Sequence, residues 1–518
     1  MTHTVEFQPA NKKITVPDGT VLSETAKRAG VFIDSPCGGN GTCKKCAVTL
    51  ILDGSEETVL ACQTKVEADC VVRLPEHSAV RTLNDGSSRY TAFAPYAAAR
   101  SDLEGACFAA FDLGTTTIVC YLLDAKTGDQ LAVSGMQNPQ SAFGADVIAR
   151  ATYALDNGYE PLRSSVRGAL NELLDTVCLQ AGRDRQNVVL ASVVGNTVMH
   201  HLLLGYPVDS LVRAPYKPYK SERLVLPASE LDLRAHDSCV VLIPAVVGGF
   251  VGADTVACLT ATAFDTLRDV TLMLDVGTNG ELALTNGSRR VSCSTAAGPA
   301  FEGANISCGM RASSGAIEHV RFAGDALQIA VIGDAPPTGI CGSGLIELAA
   351  ALVKAGIIEE SGRFSDDSRF QNRFVATADG MKAFVVSAQA GQTTQIVLTQ
   401  KDVRELQLGK AAMRAGIETL LDTLSLAPEQ VSKTLLAGAF GSHLSAGALC
   451  DIGLLPAALL GSIESIGNAA GEGAKLYLKN YALFEQTDSL AKQTEYIELT
   501  MSPEFTDRYV DAMAFDGE

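Results

Sequence analysis

Four cysteines between positions 37 and 62 and two Asp-x-Gly-Thr loops are the residues here from which chemistry could be built. The segment Cys37-Gly38-Gly39-Asn40-Gly41-Thr42-Cys43-Lys44-Lys45-Cys46, with Cys62 beyond it, has the spacing C-x5-C-x2-C-x15-C. Four thiolates at tetrahedral corners suit the iron of a [2Fe–2S] cluster, and one loop can supply three of them only if its backbone wraps the cluster. Gly38, Gly39 and Gly41 permit that wrapping and let N–H groups approach the sulfurs. The competing chemistries are structural zinc and four unmetallated thiols. Zinc favours paired C-x2-C hairpins, whereas one C-x2-C here joins a lone Cys across five residues. The spacing therefore predicts a [2Fe–2S] cluster on Cys37, Cys43, Cys46 and Cys62.

The second chemistry is phosphate binding. Asp275-Val276-Gly277-Thr278-Asn279-Gly280-Glu281 follows the apolar run 270–274, and Phe111-Asp112-Leu113-Gly114-Thr115-Thr116-Thr117 is an earlier copy about 160 residues before it. A strand that ends in Asp and turns through Gly and Thr presents N–H groups and hydroxyls to a phosphate, with a carboxylate beside them for Mg²⁺. Each copy continues into a second strand, a polar turn and a third strand (131–134 and 290–294). Two facing loops of this kind make a nucleotide cleft. Asp112, Asp275, Asp254 and Glu281 are the candidate catalytic carboxylates, although Asp254 also suits ordinary helix capping. At Gly342-Ser343-Gly344 a helix starts with exposed N–H groups, a contact for an anion or a sugar. Gly438, Ala439, Phe440 and Gly441 end the strand 433–436, where glycines would let a purine lie against the backbone. The loop 297–306 is too rich in small residues for core packing. His200 and His201 are adjacent on a helix and point about 100° apart, so they do not converge on a metal.

The elements that must position these groups fall into two bodies. Residues 1–78 read as a small β-rich unit: strands at 3–7 and 13–16, a turn, and a helix at about 21–28. Residues 79–105 carry turn residues and little periodicity, and read as a linker. Residues 106–518 form the larger body, in lobes of about 106–268 and 269–518, with helices at 146–156 and 161–181, a buried strand at 188–194 and a strand at 433–436. At 518 residues and 47% hydrophobic content there is ample material for large cores. The net charge of −18 argues against a nucleic-acid or anionic-membrane surface. The amino terminus lacks the basic-then-apolar stretch of a secretory signal and no apolar segment reaches about 18 residues, so a cytoplasmic location is expected. Of the fourteen cysteines, the ten outside the cluster motif sit singly in apolar or small-residue runs, as packed thiols do.

The cysteine stretch resembles the β-grasp [2Fe–2S] ferredoxins, which take their fourth ligand from a Leu60-Ala61-Cys62-Gln63 type segment. The order of the body's segments resembles the acetate/sugar kinase, Hsp70 and actin superfamily. That likeness implies Mg²⁺ held through water by Asp112 and Asp275, and phosphates cradled by Gly114, Thr115, Thr116, Thr117, Gly277, Thr278, Asn279 and Gly280. It further implies Asp254 as catalytic acid or base and adenosine flanked by Gly438 and Gly441. The whole chain resembles the reductive activators of corrinoid-dependent enzymes. The segments that carry this likeness are the cysteine loop, the two Asp loops, Gly195-Asn196-Thr197, 247–254, 297–303 and 340–344. The expected class is thus α/β: a β-grasp ferredoxin domain plus a two-lobed actin/Hsp70-like ATP-binding body.

The resemblance implies an ATP-dependent activator that passes a low-potential electron to Co(II) of a corrinoid protein, restoring Co(I). Its partners would be that corrinoid protein and a low-potential electron donor, and a homodimer is compatible with it. A small-molecule kinase is the rival, which leaves the cysteine domain unexplained. So are a redox sensor whose ATP cleft only regulates binding and an activator of 2-hydroxyacyl-CoA dehydratases.

Overall fold

The computed structural model describes residues 2–8, 12–29, 31, 33, 46–52, 54–74, 93–366, 368–377, 380–388, 395–438 and 444–515. Cys37, Cys43 and Ala439, Phe440 and Gly441 lie outside the described residues.

In the small unit, alternating burial along Thr2–Gln8 turns Val5 and Phe7 inward and leaves their neighbours toward solvent, the period-2 signature of a half-buried strand. The sheet order is Lys12–Pro17, Thr2–Gln8, Cys70–Arg73, Ala47–Leu52, Ser55–Leu60. Among its described strands only Thr2–Gln8 and Cys70–Arg73 pair in parallel. Leu22 and Ala26 of the Leu22–Arg28 helix close the core over Val5, Phe7, Val48 and Val72. This is the expected β-grasp arrangement.

The body contains two six-stranded sheets that share a five-strand topology and differ in the sixth strand: Leu224–Pro227 pairs antiparallel with Val240–Ile243, whereas Thr494–Tyr496 pairs in parallel with Arg290–Thr295 at the other edge. The first runs Gln130–Gln137, Thr117–Asp124, Cys107–Leu113, Val188–Gly195, Val240–Ile243, Leu224–Pro227; the second runs Ile463–Gly467, Lys433–Ala437, Thr271–Val276, Gly280–Thr285, Arg290–Thr295, Thr494–Tyr496. In each, three successive strands form an antiparallel meander, and a fourth pairs in parallel with the first on its free side. A fifth then pairs in parallel with the fourth. The duplicated strand-loop-strand unit read in the sequence is therefore one half of a duplicated sheet.

A helix follows each fifth strand: Ala253–Ala261 in the first lobe and Ala469–Lys479 in the second. Both lie between the sheets, in a core that includes Phe108, Val194, Met273, Leu435, Val256 and Tyr477. A Cβ on Gly473 would sit 2.2 Å from the Ala257 carbonyl oxygen, so the crossing requires glycine there. That close approach explains the run of small residues after Asp254.

The expected linker needs correction over its last part. Ala94 donates to the Lys479 carbonyl at 2.7 Å and accepts from the Tyr481 N–H at 2.9 Å. Tyr96 stacks on Tyr481 with ring centroids 4.6 Å apart, and Ala99 is buried in the core between the sheets. Residues 93–105 are thus docked on the body, their few apolar side chains finding a groove that periodicity could not reveal; residues 79–92 lie outside the described residues. Among the described residues no helix is long and apolar enough to cross a membrane.

Candidate active site

The two Asp-x-Gly-Thr loops meet. Thr116, from the first sheet, and Thr278, from the second, have their hydroxyl oxygens 2.9 Å apart. Thr115 accepts a hydrogen bond from the Asn196 side-chain amide at 2.9 Å, while the Asn196 side-chain oxygen caps the Thr197–Leu204 helix through the Met199 N–H. Asn138 holds the back of the same loop, donating from its side chain to the Gly114 carbonyl at 2.8 Å and from its backbone to that of Thr116 at 2.9 Å. A Cβ on Gly114 would stand 2.6 Å from the Thr117 carbonyl oxygen, so the turn admits no side chain. In the second loop Gly277 donates to the Asn279 carbonyl, and Gly280 packs against Met413 and Thr295.

Asp112 and Asp275 end equivalent first strands. Asp275 sits directly opposite Glu281 across its hairpin, which brings two acids to the same face of the sheet. Asp254 enters from the first turn of the Ala253–Ala261 helix, and the Thr255 N–H donates to it at 2.8 Å. Burial pushes Asp112 up to about 6; the Asn468 amide, 2.8 Å away, opposes the rise and the charge of Asp275 adds to it. Burial likewise lifts Asp275 to about 6 against the Cys258 thiol, which donates to it at 3.6 Å. Asp254 rises through burial, opposed by Thr255 and reinforced by Asp275 and Asp112. Glu281 rises well above the carboxylate range through burial, then through the charges of Asp254 and Asp275. The structure therefore gathers all four expected acids into one field. Burial and mutual charge account for the rise; among the described residues no three His, Cys, Asp or Glu side chains converge as a metal-holding group.

Asn468 was missed in the sequence. It caps the Ala469–Lys479 helix, accepting from the Gly471 N–H at 2.8 Å, and its amide also reaches the Tyr121 hydroxyl at 3.1 Å. Its one sequence signal is Asn just before a helix. Glu302 was passed over within a loop read only as small-residue-rich, yet it accepts from Thr116 and Thr278. Gly438 has φ +90 and a Cβ position 2.6 Å from Asp275 Oδ1, so the expected adenosine loop leaves its strand directly against a cluster acid. The expected exposed helix start at 342–344 is corrected: Gly342, Ser343 and Gly344 are buried, Ser343 approaching the Cys341 thiol at 3.4 Å and a Cβ on Gly344 meeting the Ile317 carbonyl at 2.1 Å, because the helix packs closely on the strand that carries Ile317. His200 and His201 are buried as well, His201 accepting from the Tyr219 N–H at 3.1 Å.

In the small domain the Cys46 and Cys62 sulfurs stand 3.2 Å apart, both buried. The Gln63 amide points at Cys62 Sγ from 3.7 Å. Two converging thiols with an N–H donor on one of them fit the ligand set of an iron–sulfur cluster. Every other described cysteine is buried except Cys308, as packed thiols are.

Comparison with known proteins defines the class first. A model of the 2Fe-2S iron-sulfur cluster binding domain matches residues 5–67, one of the RACo middle region matches 107–267, and one of the C-terminal domain of RACo, the ASKHA domain, matches 269–518. The fold is an iron–sulfur domain joined to an ASKHA body. The chain is 30% identical to the corrinoid activation enzyme RamQ of Eubacterium limosum, over 98% of each protein. It is 26% identical to the Co(II) methylated amine-specific corrinoid protein reductase of Methanosarcina barkeri, over 78% of this chain and 76% of that one. A solved reductive activator for corrinoid, iron-sulfur protein superposes with a TM-score of 0.74 at 29% identity, covering 99% of this chain and 98% of that one. The chain belongs to the family of reductive activators of corrinoid-dependent enzymes.

Proposed function

We propose that this chain is an ATP-dependent reductive activator that delivers one electron to Co(II) of a corrinoid protein and returns it to the Co(I) needed for methyl transfer. The observation that carries the reading is the meeting of Thr116 and Thr278 beside four acids, in a chain whose separate small domain converges two thiols. Cys37, Cys43, Cys46 and Cys62 hold the [2Fe–2S] cluster, which supplies a single electron near about −400 mV in plant-type relatives. The Gln63 amide steadies the Cys62 thiolate. Asp112 and Asp275 would hold Mg²⁺ through water, with Glu281 beside Asp275, and Asp254 would orient the water that attacks the terminal phosphate. Thr115, Thr116, Thr117, Gly277, Thr278, Asn279 and Gly280 line the phosphates, with Gly342, Ser343 and Gly344 behind them. Gly438, Ala439, Phe440 and Gly441 border the adenosine. The chain works in the cytoplasm, takes electrons from a low-potential donor and is compatible with a homodimer.

An uphill electron transfer costs roughly a factor of ten, or about 1.4 kcal/mol, for each 59 mV. ATP shifts that balance only through unequal affinity of the activator for the two corrinoid states. Slow ATP turnover is therefore expected to rise several-fold on adding Co(II) corrinoid protein, measured as phosphate release. Turnover indifferent to the corrinoid protein would favour a redox sensor.

The acid cluster also predicts a pH dependence. Asp112 and Asp275 bind protons more tightly folded than unfolded between about 3.8 and about 6. Their contribution to stability is therefore lost as pH rises through that window. In metal-free protein Asp254→Asn relieves part of the repulsion and is expected to add about 1–2 kcal/mol of stability at pH 8. The gain should shrink at pH 5 and on adding Mg²⁺. Melting curves of both proteins at the two pH values, with EDTA and with Mg²⁺, check this; a gap equal under all conditions would contradict it.

A further inference from the structure

Glu302 ends the short turn Pro299–Glu302, whose Ala300 and Phe301 are buried. Its carboxylate accepts from Thr116 at 2.5 Å through Oε2 and from Thr278 at 3.0 Å through Oε1. One anionic group thus spans hydroxyls from both sheets, as two oxygens of a phosphate would. It also lies 3.8 Å from where a Cβ on Gly277 would be, alongside the glycine of the second loop. The turn fixes this reach: Gly303 has φ +73, and a Cβ there would stand 2.6 Å from the Met310 carbonyl oxygen.

A second observation comes from behind the first loop. Arg150 is fully buried; its Nε donates to the Gly144 carbonyl at 3.0 Å, its Nη1 meets Met199 Sδ at 3.4 Å, and its Nη2 has no partner. Met199 in turn contacts Asn138, which holds the Gly114 carbonyl. The carboxylates whose charges favour the guanidinium are Asp146 and Glu302. A buried cation without a bonded carboxylate is costly, and an anion held at the two threonines offsets part of that cost.

We propose that Glu302 is an internal stand-in for phosphate: in the nucleotide-free chain it fills the subsite made by Thr116 and Thr278, and it must be displaced when a nucleoside triphosphate binds. The exchange leaves Arg150 with a counter-charge throughout, first the carboxylate and then the phosphate. It also breaks a tie between the two lobes, so nucleotide entry is read as a change in how their loops are joined. Apparent affinity is lowered by the fraction of molecules in which Glu302 has let go.

This inference rests on the nucleotide-site reading, and calorimetry of full-length protein separates the two. Glu302→Gln keeps the shape and removes the charge. It is expected to bind Mg-ATP and Mg-ADP at least about tenfold tighter than wild type, and inorganic phosphate tighter too, with an unchanged iron–sulfur spectrum. Equal or weaker binding would overturn the proposal and make Glu302 a nucleotide or Mg²⁺ contact. Should Glu302→Gln fail to fold, Glu302→Asp, too short to span both hydroxyls, is expected to bind more tightly, and equal or weaker binding overturns the proposal in the same way. Wild-type protein that binds no nucleotide, while Glu302→Gln binds none either, would instead sink the nucleotide site itself.

Discussion

Asp275→Ala is expected to abolish ATP-dependent Co(I) formation and to lower ATP turnover by more than about a hundredfold, while the visible spectrum of the cluster stays as in wild type. Groups one shell behind a metal ligand are already worth about 10–100-fold in affinity or activity. On the proposed reading Asp275 holds Mg²⁺ through water and is worth at least as much. It faces Glu281 across the hairpin, receives the Cys258 thiol, and lies against Gly438 just past the end of the neighbouring strand. Asp112→Ala should lose turnover comparably, since Asp112 is its counterpart on the other sheet and is oriented by Asn468. The cluster domain has its own sheet and its own core, so neither change reaches it. Wild-type turnover in both variants would show that the duplicated aspartates are structural.

Cys62→Ser and Cys43→Ser should abolish Co(I) formation for the opposite reason, removing the electron carrier and leaving ATP turnover in place. The Cys62 thiol is half of the buried pair with Cys46, and a hydroxyl does not replace a thiolate on iron. Cys70→Ser and Cys341→Ser provide the contrast. Burial pushes the Cys70 thiol up, and the Cys341 thiol donates to the Ile317 carbonyl at 3.3 Å, so both are packed groups. Iron, acid-labile sulfide and the visible spectrum should survive those two changes. Zinc without sulfide in wild-type protein would contradict the assignment.

Much of this was legible because the local signals were short and paired. A strand ending in Asp, a Gly-Thr turn and a returning strand appear twice, and the two copies form equivalent parts of two sheets. Residues 146–156 and 161–181 announced two helices, found at Val147–Asn157 and Glu160–Gln180. What the sequence hid was long-range. Asn468 lies 356 positions from Asp112 and becomes its partner only because the last connecting helix crosses between the sheets. Glu302 lies in a loop whose composition suggested only smallness, and its role depends on two threonines brought together from different lobes. Residues 93–105 looked like linker because Tyr96 and Ala99 show no period; the groove that receives them is made by residues near 480.

In the proposed mechanism one chain couples nucleotide to an uphill electron transfer. The most direct test mixes reduced full-length protein with a Co(II) corrinoid protein, at one donor and one ambient potential, and follows Co(I) absorbance with and without Mg-ATP. Co(I) accumulating only with Mg-ATP, and in neither Cys43→Ser nor Asp275→Ala, is the predicted result. Equal Co(I) with and without ATP would contradict it and leave a simple electron carrier.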